Sequence, residues 1–264
     1  MALQISELNI YPVKGLKGIS VKEAEALEKG FRYDRRWMLT DTTGKFISQR
    51  ETPMLALIHT AIIGESLVIT YEDSSIMVPL NSEHYSGSKE KVTIWDDEVE
   101  ARIVGKNFND WFSDVLGEKV WFCFQHESKK REVEKKYGAN SMVSFADGYP
   151  YLFISDASLK NLNDKLEQPI PMNRFRPNIV VANAKPFEED TWGKLSAGDA
   201  IFHCLKPCAR CQVPTIDQET GKMGKEPTKT LATFRKHEHK VLFGMNAVVE
   251  KQGVVKVGDV VTLL

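Results

Sequence analysis

Three of the chain's four cysteines, Cys204, Cys208 and Cys211, fall within eight residues, and the last two flank Arg210 in a C-x-x-C spacing inside PCARCQVPTIDQETG (207–221). A thiolate is both a nucleophile and a soft metal ligand, and a nearby guanidinium favours it over the neutral thiol. Four arrangements are open. Structural zinc needs four tetrahedral ligands, usually two pairs a dozen or more residues apart. Here His203, Cys204, Cys208 and Cys211 crowd into nine residues, and Cys123 sits in the apolar run VWFCF as a small core residue. A thioredoxin-like dithiol needs a long helix starting at the motif, whereas Gln-Val-Pro-Thr-Ile-Asp follows Cys211 and reads as extended. A single thiolate on an open loop, with Arg210 favouring its charge, suits a metal that brings most of its own coordination. Three buried thiols without chemistry are the plainest arrangement.

Basic residues bear on the choice. Pro12-Val-Lys14-Gly15-Leu-Lys17-Gly18 is a glycine-flanked loop in which backbone N–H groups and lysines can approach an anion. Arg35-Arg36-Trp37 opens a strand, and Arg174 and Arg176 in NRFRPN would share one side of an extended segment. Each alone reads as a solvated edge. Together, guanidinium groups near strand ends suit phosphate, which they bind in forked geometry. Cationic loops plus one thiolate fit a phosphorylated metal cofactor.

The elements that must position these groups are mostly strands. With 264 residues, 42% hydrophobic and 27% charged, the chain has a real core and room for one large β domain or two smaller ones. Strand-like runs are Gln4–Tyr11, Trp37–Thr40, Phe46–Gln49, Leu55–Ile62, Leu67–Tyr71, Ile76–Pro79, Val92–Ile94, Val99–Ile103 and Val120–Phe124, separated by turns such as Trp95-Asp-Asp-Glu98. Phe108, Trp111, Phe112, Val115 and Leu116 predict a helix with Asn107 as N-cap and Gly117 as stop. The charged stretch 127–136 reads as a domain boundary or mobile loop with a solvated face. Ser155 or Asp156 caps a helix carrying Leu159, Leu162 and Leu166; Asn178–Val181 is a strand; Thr228–Lys236 is a short helix. Gly198-Asp199 and Gly258-Asp259 each launch a strand and suggest related corners of one barrel.

A net charge of −1 gives no global field for nucleic acid or an anionic membrane. No apolar run approaches the ~20 residues of a membrane span, and the N-terminus lacks a signal-peptide pattern. Few, clustered cysteines point to a reducing cytoplasm.

The stretches YPVKGLKG, YDRRWMLTD, FISQRETP, LFISDASLKNLN, NRFRPNIVV, CARCQVPTIDQETG and VVKVGDVV together resemble the MOSC-domain proteins, the molybdenum cofactor sulfurase C-terminal type, and within them the amidoxime-reducing branch. That resemblance spans nearly the whole chain. It implies a mainly β fold (β-rich α+β): a MOSC β-barrel over 126–264, an N-terminal β domain over 1–125 whose first ~37 residues reach the site, and a few short helices. It also implies a molybdenum–molybdopterin cofactor, in its monophosphate form, in the groove between them. Cys211 matches the molybdenum ligand and so the catalytic centre. Lys14, Gly15, Arg35, Arg176, Asn178, Ala209 and Arg210 match positions that hold the pterin and its phosphate. Gly148 and Tyr149 match a backbone stretch near the cofactor, and Asn246 a neighbouring position often tyrosine in animal members. Gly15 replaces a serine of those members.

The implied activity is reduction of small N-hydroxylated substrates such as amidoximes, hydroxylamines and N-hydroxylated bases. Electrons would come from a separate donor protein: a flavoprotein reductase, a ferredoxin or a cytochrome b5-like protein. The chain ends at Val-Thr-Leu-Leu264 without the cysteine set of the iron–sulfur domain that longer bacterial relatives carry. Cys204 and Cys208 are expected as bystanders, and Asp217 as the residue fixing the turn at 218–221. A non-catalytic cofactor carrier or sulfur-transfer protein is the alternative, and a zinc-stabilised binding module a third reading.

Overall fold

A computed structural model describes residues 1–134, 136 and 140–264. It is a β-rich α+β fold. Its largest sheet has the order Val261–Leu263, Lys194–Ala197, Ala200–Ala209, Lys240–Lys251, Tyr151–Ser155, Ile179–Ala182, Gln4–Ile10 and Ile19–Val21, with Lys236–His237 attached to the long strand 240–251. The sheet curls until its ends meet. Ile5 N–H donates to Asp259 O and Val261 N–H to Leu3 O, both at 2.9 Å, and Gln4 bridges Val260. Inside lie Ile5, Leu8, Phe31, Tyr151, Phe153, Phe202 and Ala247, all at most 1% exposed. The strand Glu23–Leu27 pairs with Gly253–Lys256, so the first thirty residues are woven into the C-terminal half.

The intervening residues form a second body. Trp37–Asp41, Val120–Phe124, Asp97–Ile103 and Lys89–Ile94 make one sheet, and His59–Ile63, Ser66–Tyr71 and Ser74–Pro79 a meander. The helix Lys106–Leu116 buries Phe108 and Phe112 against this body, with the Phe112 and Phe122 rings 4.8 Å apart. Its apolar residues fall at i, i+4 spacing on one face. Gly117, left-handed at φ 72, ends it as expected. Asn107 is not the cap: the helix begins at Lys106, after Gly105, and no side chain caps it.

Other expectations shift for local reasons. Phe46–Gln49 is not a strand; only isolated bridges tie Phe46 to Thr40 and Lys45 to Thr93. Leu55–Ile62 divides, because Pro53 starts a 3-10 turn over Pro53–Leu57 and the strand begins at His59. Ser155, not Asp156, caps the helix Asp156–Asn163, its hydroxyl accepting from Ser158 N–H, and Leu166 lies beyond that helix. The helix after Pro227 is Thr228–Phe234. Arg174 and Arg176 do not share a side: Arg174 lies in a 3-10 turn over Met172–Phe175, and Arg176 adopts a left-handed φ of 55. The 127–136 stretch is not simply a solvated face, since Arg131 is buried within it; Lys135 lies outside the described residues. Gly198 and Gly258 both turn at positive φ, beside the paired strands Lys194–Ala197 and Val261–Leu263.

The buried acids of the core set an alkaline limit. Burial pushes the Cys123 and Cys204 thiols up to about 12. Tyr11 is also pushed up to about 12 by burial, against the opposing charges of Arg176 and Arg35. Each group keeps its proton longer in the native state than in the unfolded chain. That stabilisation is complete below the unfolded thiol value and is lost as pH rises toward 12. Urea unfolding at pH 7.5 and pH 10.5 is expected to show a loss of at least ~2 kcal/mol at the higher pH; equal unfolding free energies would contradict this burial pattern.

Candidate functional site

One cleft of about 420 Å³ opens between the barrel and the second body. Lys14, Gly15, Arg35, Gly148, Tyr149, Arg176, Asn178, Ala209, Arg210, Cys211 and Asn246, the residues singled out in the sequence, all line it. Phe46, Gln49, Arg50, Trp95, Glu134, Asp147, Lys206 and Cys208 are also among the lining residues.

The long strand Ala200–Ala209 delivers the thiols. It runs antiparallel to Lys240–Lys251, with register shifts between Cys204 and Lys206 and again between Pro207 and Ala209. Before the first shift Cys204 points into the barrel core; after it Lys206 and Cys208 line the cleft. Arg210 N–H donates to Val241 O at 2.8 Å, a last anchor before the chain leaves the sheet. Cys211 then stands exposed, its Sγ accepting only a 3.5 Å contact from Val213 N–H. Arg174 pins the following turn by donating to Pro214 O (2.9 Å) and Asp217 (2.8 Å). Asp217 Oδ1 also accepts from the Glu219 and Thr220 N–H groups, fixing the 217–221 turn as its residue type leads one to expect.

Arg210 does not activate Cys211 directly. Its Nη1 donates to Cys208 Sγ at 3.1 Å and its Nη2 to Phe175 O at 2.8 Å. Alternation turns successive side chains to opposite sides, so the i−2 thiol is the one within reach. Cys208 is therefore a partner of the arginine, while Nε of Arg210 is buried without a partner among the described residues.

The cationic wall centres on Tyr11, which the sequence did not single out. The Arg35 and Arg176 guanidiniums each lie 4.2 Å from the centre of its ring. Tyr11 OH donates to Pro177 O and its N–H to Asp34. Arg35 also donates to Asp34 (2.7 Å) and Asn178 (3.1 Å). Arg176 faces no carboxylate within ion-pair distance among the described residues. Burial lowers it to about 10, with the nearby Arg35 charge adding to the drop and Tyr11 opposing it. A half-buried guanidinium without a counter-charge gains from an anion.

Lys14 is buried and donates to Phe145 O (2.9 Å) and Asp147 (2.5 Å). Burial lowers its ammonium, and Asp147 opposes that. The cleft walls work against charge on Asp147, but the charge and hydrogen bond of Lys14 outweigh them and hold the carboxyl well below its usual range. Gly15, at φ 88, turns the chain here, and its carbonyl accepts from Gln49.

Arg131 organises the opposite rim from behind. It donates to the carbonyls of Ser144, Ala146 and Asp147 and to the Asp97 carboxylate, presenting Asp147, Gly148 and Tyr149 to the cleft. Tyr149 OH donates to Glu134 (3.2 Å), which also pairs with Lys206. Asn246 lies across from Lys206 and from Leu152 in neighbouring strands.

Six Lys and Arg side chains line the cleft against two carboxylates, so an anionic ligand is favoured. Among the described residues no group of three or more His, Cys, Asp and Glu side chains could hold a metal ion. A metal bound at Cys211 would have to bring its remaining ligands with it, which weakens the zinc reading.

Comparisons with known proteins place the chain in a family. A profile described as the MOSC N-terminal beta barrel domain matches residues 2–119, and one described as the MOSC domain matches residues 140–262. Mitochondrial amidoxime-reducing component 1 of Homo sapiens is 31% identical, over 98% of this chain and 82% of that protein. The chain belongs to the MOSC-domain family. Within this MOSC family, mitochondrial amidoxime reducing component 2 of Rattus norvegicus is 33% identical, over 97% of this chain and 81% of its own length. A molybdenum cofactor sulfurase of Oryza sativa subsp. japonica is 30% identical over 92% of this chain but only 32% of its own length. Among the described residues no helix is long and apolar enough to cross a membrane.

Two outcomes are expected. Ellman's reagent should titrate two thiols in the native protein, Cys211 before Cys208, and four after unfolding; four fast thiols would contradict the placement of Cys123 and Cys204. Arg131→Ala should strand three loop carbonyls and cost ~3 kcal/mol. It should also speed amide exchange at Asp147–Tyr149, read by mass spectrometry.

Proposed function

We propose that the chain is a molybdenum-cofactor-dependent reductase of N-hydroxylated compounds, fed by a separate electron donor. The observation that carries this reading is the convergence, in one cleft, of an open Cys211 thiol with the half-buried guanidinium of Arg176, which meets no carboxylate among the described residues, and the half-satisfied Arg210. Those groups fit a phosphorylated, sulfur-rich metal cofactor. When bound, the molybdenum–pyranopterin group supplies the two-electron chemistry that removes the oxygen of an N–OH group.

The residues of the chain then have separable tasks. Cys211 provides the one protein thiolate to the metal, a soft ligand matched to a sulfur-bound ion. Arg35, Arg176 and Asn178 form the anion cradle, with the Tyr11 ring packed against each guanidinium and limiting its access to water. Arg210 closes the cradle from the barrel side, and Ala209 leaves it room. Lys14, Gly15, Gly148 and Tyr149 bound the pterin side, and Asn246 lines the substrate side. The division into residues 1–125 and 126–264 places the cleft at the junction of two units, with the first strand crossing into the second. Four free thiols suit a reducing compartment such as the cytoplasm. A flavoprotein reductase, a ferredoxin or a cytochrome b5-like protein would serve as donor.

A carrier that holds the same cofactor and passes it on is the second reading, favoured by the likeness to the plant sulfurase. Expression in a host able to make the cofactor, followed by molybdenum analysis and benzamidoxime reduction with a reduced dye, separates the two. Full molybdenum occupancy without turnover would leave only the carrier. Cys211→Ser is expected to abolish turnover and strip most of the molybdenum. Cys208→Ser retains an acceptor for Arg210 and should keep both within about twofold; equal losses in the two variants would refute the assignment of the ligand.

A further inference from the structure

Next to the cleft lies a second cavity of about 500 Å³, lined in part by Lys45, Thr93, Asp96 and Gln212, and sharing Phe46, Arg50 and Trp95 with the first. Those three shared residues stand at the border of the two spaces. Trp95 is 42% exposed, and the Arg50 guanidinium lies 4.0 Å from its ring centre. Phe46 meets the same indole edge to face at 4.8 Å. The indole N–H donates to Asp147 Oδ1 at 3.2 Å, which ties the ring to the inner cleft. Among the described residues no carboxylate lies within ion-pair distance of Arg50.

The backbone at Trp95 is the second observation. The strands Lys89–Ile94 and Asp97–Ile103 are joined by Trp95 and Asp96 alone, with Ile94 paired to Asp97. In this two-residue turn Trp95 has φ 56 and Asp96 is not left-handed. That first position is where such hairpins take glycine. A tryptophan there holds a disfavoured backbone conformation for a ring left 42% exposed and outside the hydrophobic core clusters. Strain kept at the mouth of a site points to a role in the site.

The geometry points to Trp95 and Arg50 as a stacking platform that selects flat, conjugated N-hydroxylated compounds, such as aryl amidoximes and N-hydroxylated heteroaromatic bases, over aliphatic ones. This rests on the reductase reading above for its substrate chemistry, not for the existence of the subsite. A conjugated ring can lie against indole or guanidinium over its whole face, whereas an aliphatic group gains only edge contacts. Phe46 and the Trp95–Asp147 bond fix the height of the platform above the inner cleft, so a stacked ring would carry its N–OH group inward, toward Cys211.

The test uses holoprotein and two probes, benzamidoxime and acetamidoxime. Calorimetric titration without an electron donor reads binding free of turnover. Trp95→Gly, the residue this backbone favours, should remain folded by circular dichroism and raise the benzamidoxime Kd about tenfold. Trp95→Phe keeps a ring and should stay within about threefold, which separates stacking from loss of the Asp147 bond. Arg50→Met should raise the Kd about threefold. With a reduced dye, the ratio of kcat/KM for benzamidoxime over acetamidoxime should fall about tenfold in Trp95→Gly, through KM. An unchanged ratio, a Kd indifferent to Trp95, or no measurable benzamidoxime binding overturns the platform. Trp95-dependent binding with no reduction of either probe keeps the platform and refutes the reductase. Reduction of both probes without dependence on Trp95 does the reverse.

Discussion

Like charge held together with too few counter-ions is the constraint around which the site is built. Arg35 and Arg176 both pack on the Tyr11 ring at 4.2 Å, and among the described residues Arg35 pairs with a carboxylate, Asp34, while Arg176 does not. Two guanidiniums so close repel one another, and burial makes that worse. The electron-rich ring face offsets part of the cost. The rest is met by geometry: Tyr11 is locked through both its hydroxyl and its backbone N–H, and Arg176 is itself the left-handed residue that ends a 3-10 turn. The fold thus stores an unfavourable charge arrangement that a bound anion relieves.

Everything else at the cleft sets a distance from that cluster. The register shifts in Ala200–Ala209 decide that Cys204 faces the core while Cys208 faces the cleft. Arg131 serves as a buried strut for a loop with few backbone partners of its own, and Arg174 does the same for the turn beyond Cys211. Two arginines that a charge count would assign to binding are instead scaffolding. Their donors point at carbonyls, which are the groups a loop must satisfy when it is drawn inward.

How much of this is legible in the chain depends on the range of the signal. Residues in short, compositionally scarce motifs, such as the glycine-flanked Lys14 loop and the cysteine cluster, could be nominated locally; Gly148, Tyr149, Asn178, Ala209 and Asn246 came only with the family resemblance, and all eleven positions border one cleft. The β-rich class follows from alternating apolar runs and closely spaced turns. What failed depends on backbone state or on distant partners. The αL conformation of Arg176 separates it from Arg174, and no propensity argument foretells it. Arg210 turns toward Cys208 from just past the strand's end, where its backbone N–H is still anchored on Val241. Tyr11 read as the last residue of a strand and Arg131 as part of a solvated run, and nothing singled out Asp147. Each takes its role from a partner far along the chain, beyond any window of pattern.

The sealing of the barrel by residues 3–5 against residues 258–261 has a further consequence. One wall of the cleft is made from the opening segment of the chain and the other from its closing third. During synthesis on a ribosome, Lys14, Arg35 and Tyr11 emerge roughly two hundred residues before the thiol that faces them. The nascent polypeptide must therefore wait, with its cations in water, until the last strand leaves the exit tunnel. Loading of any guest is in consequence timed by the emergence of the strand Val261–Leu263 rather than by the birth of the residues that grip it.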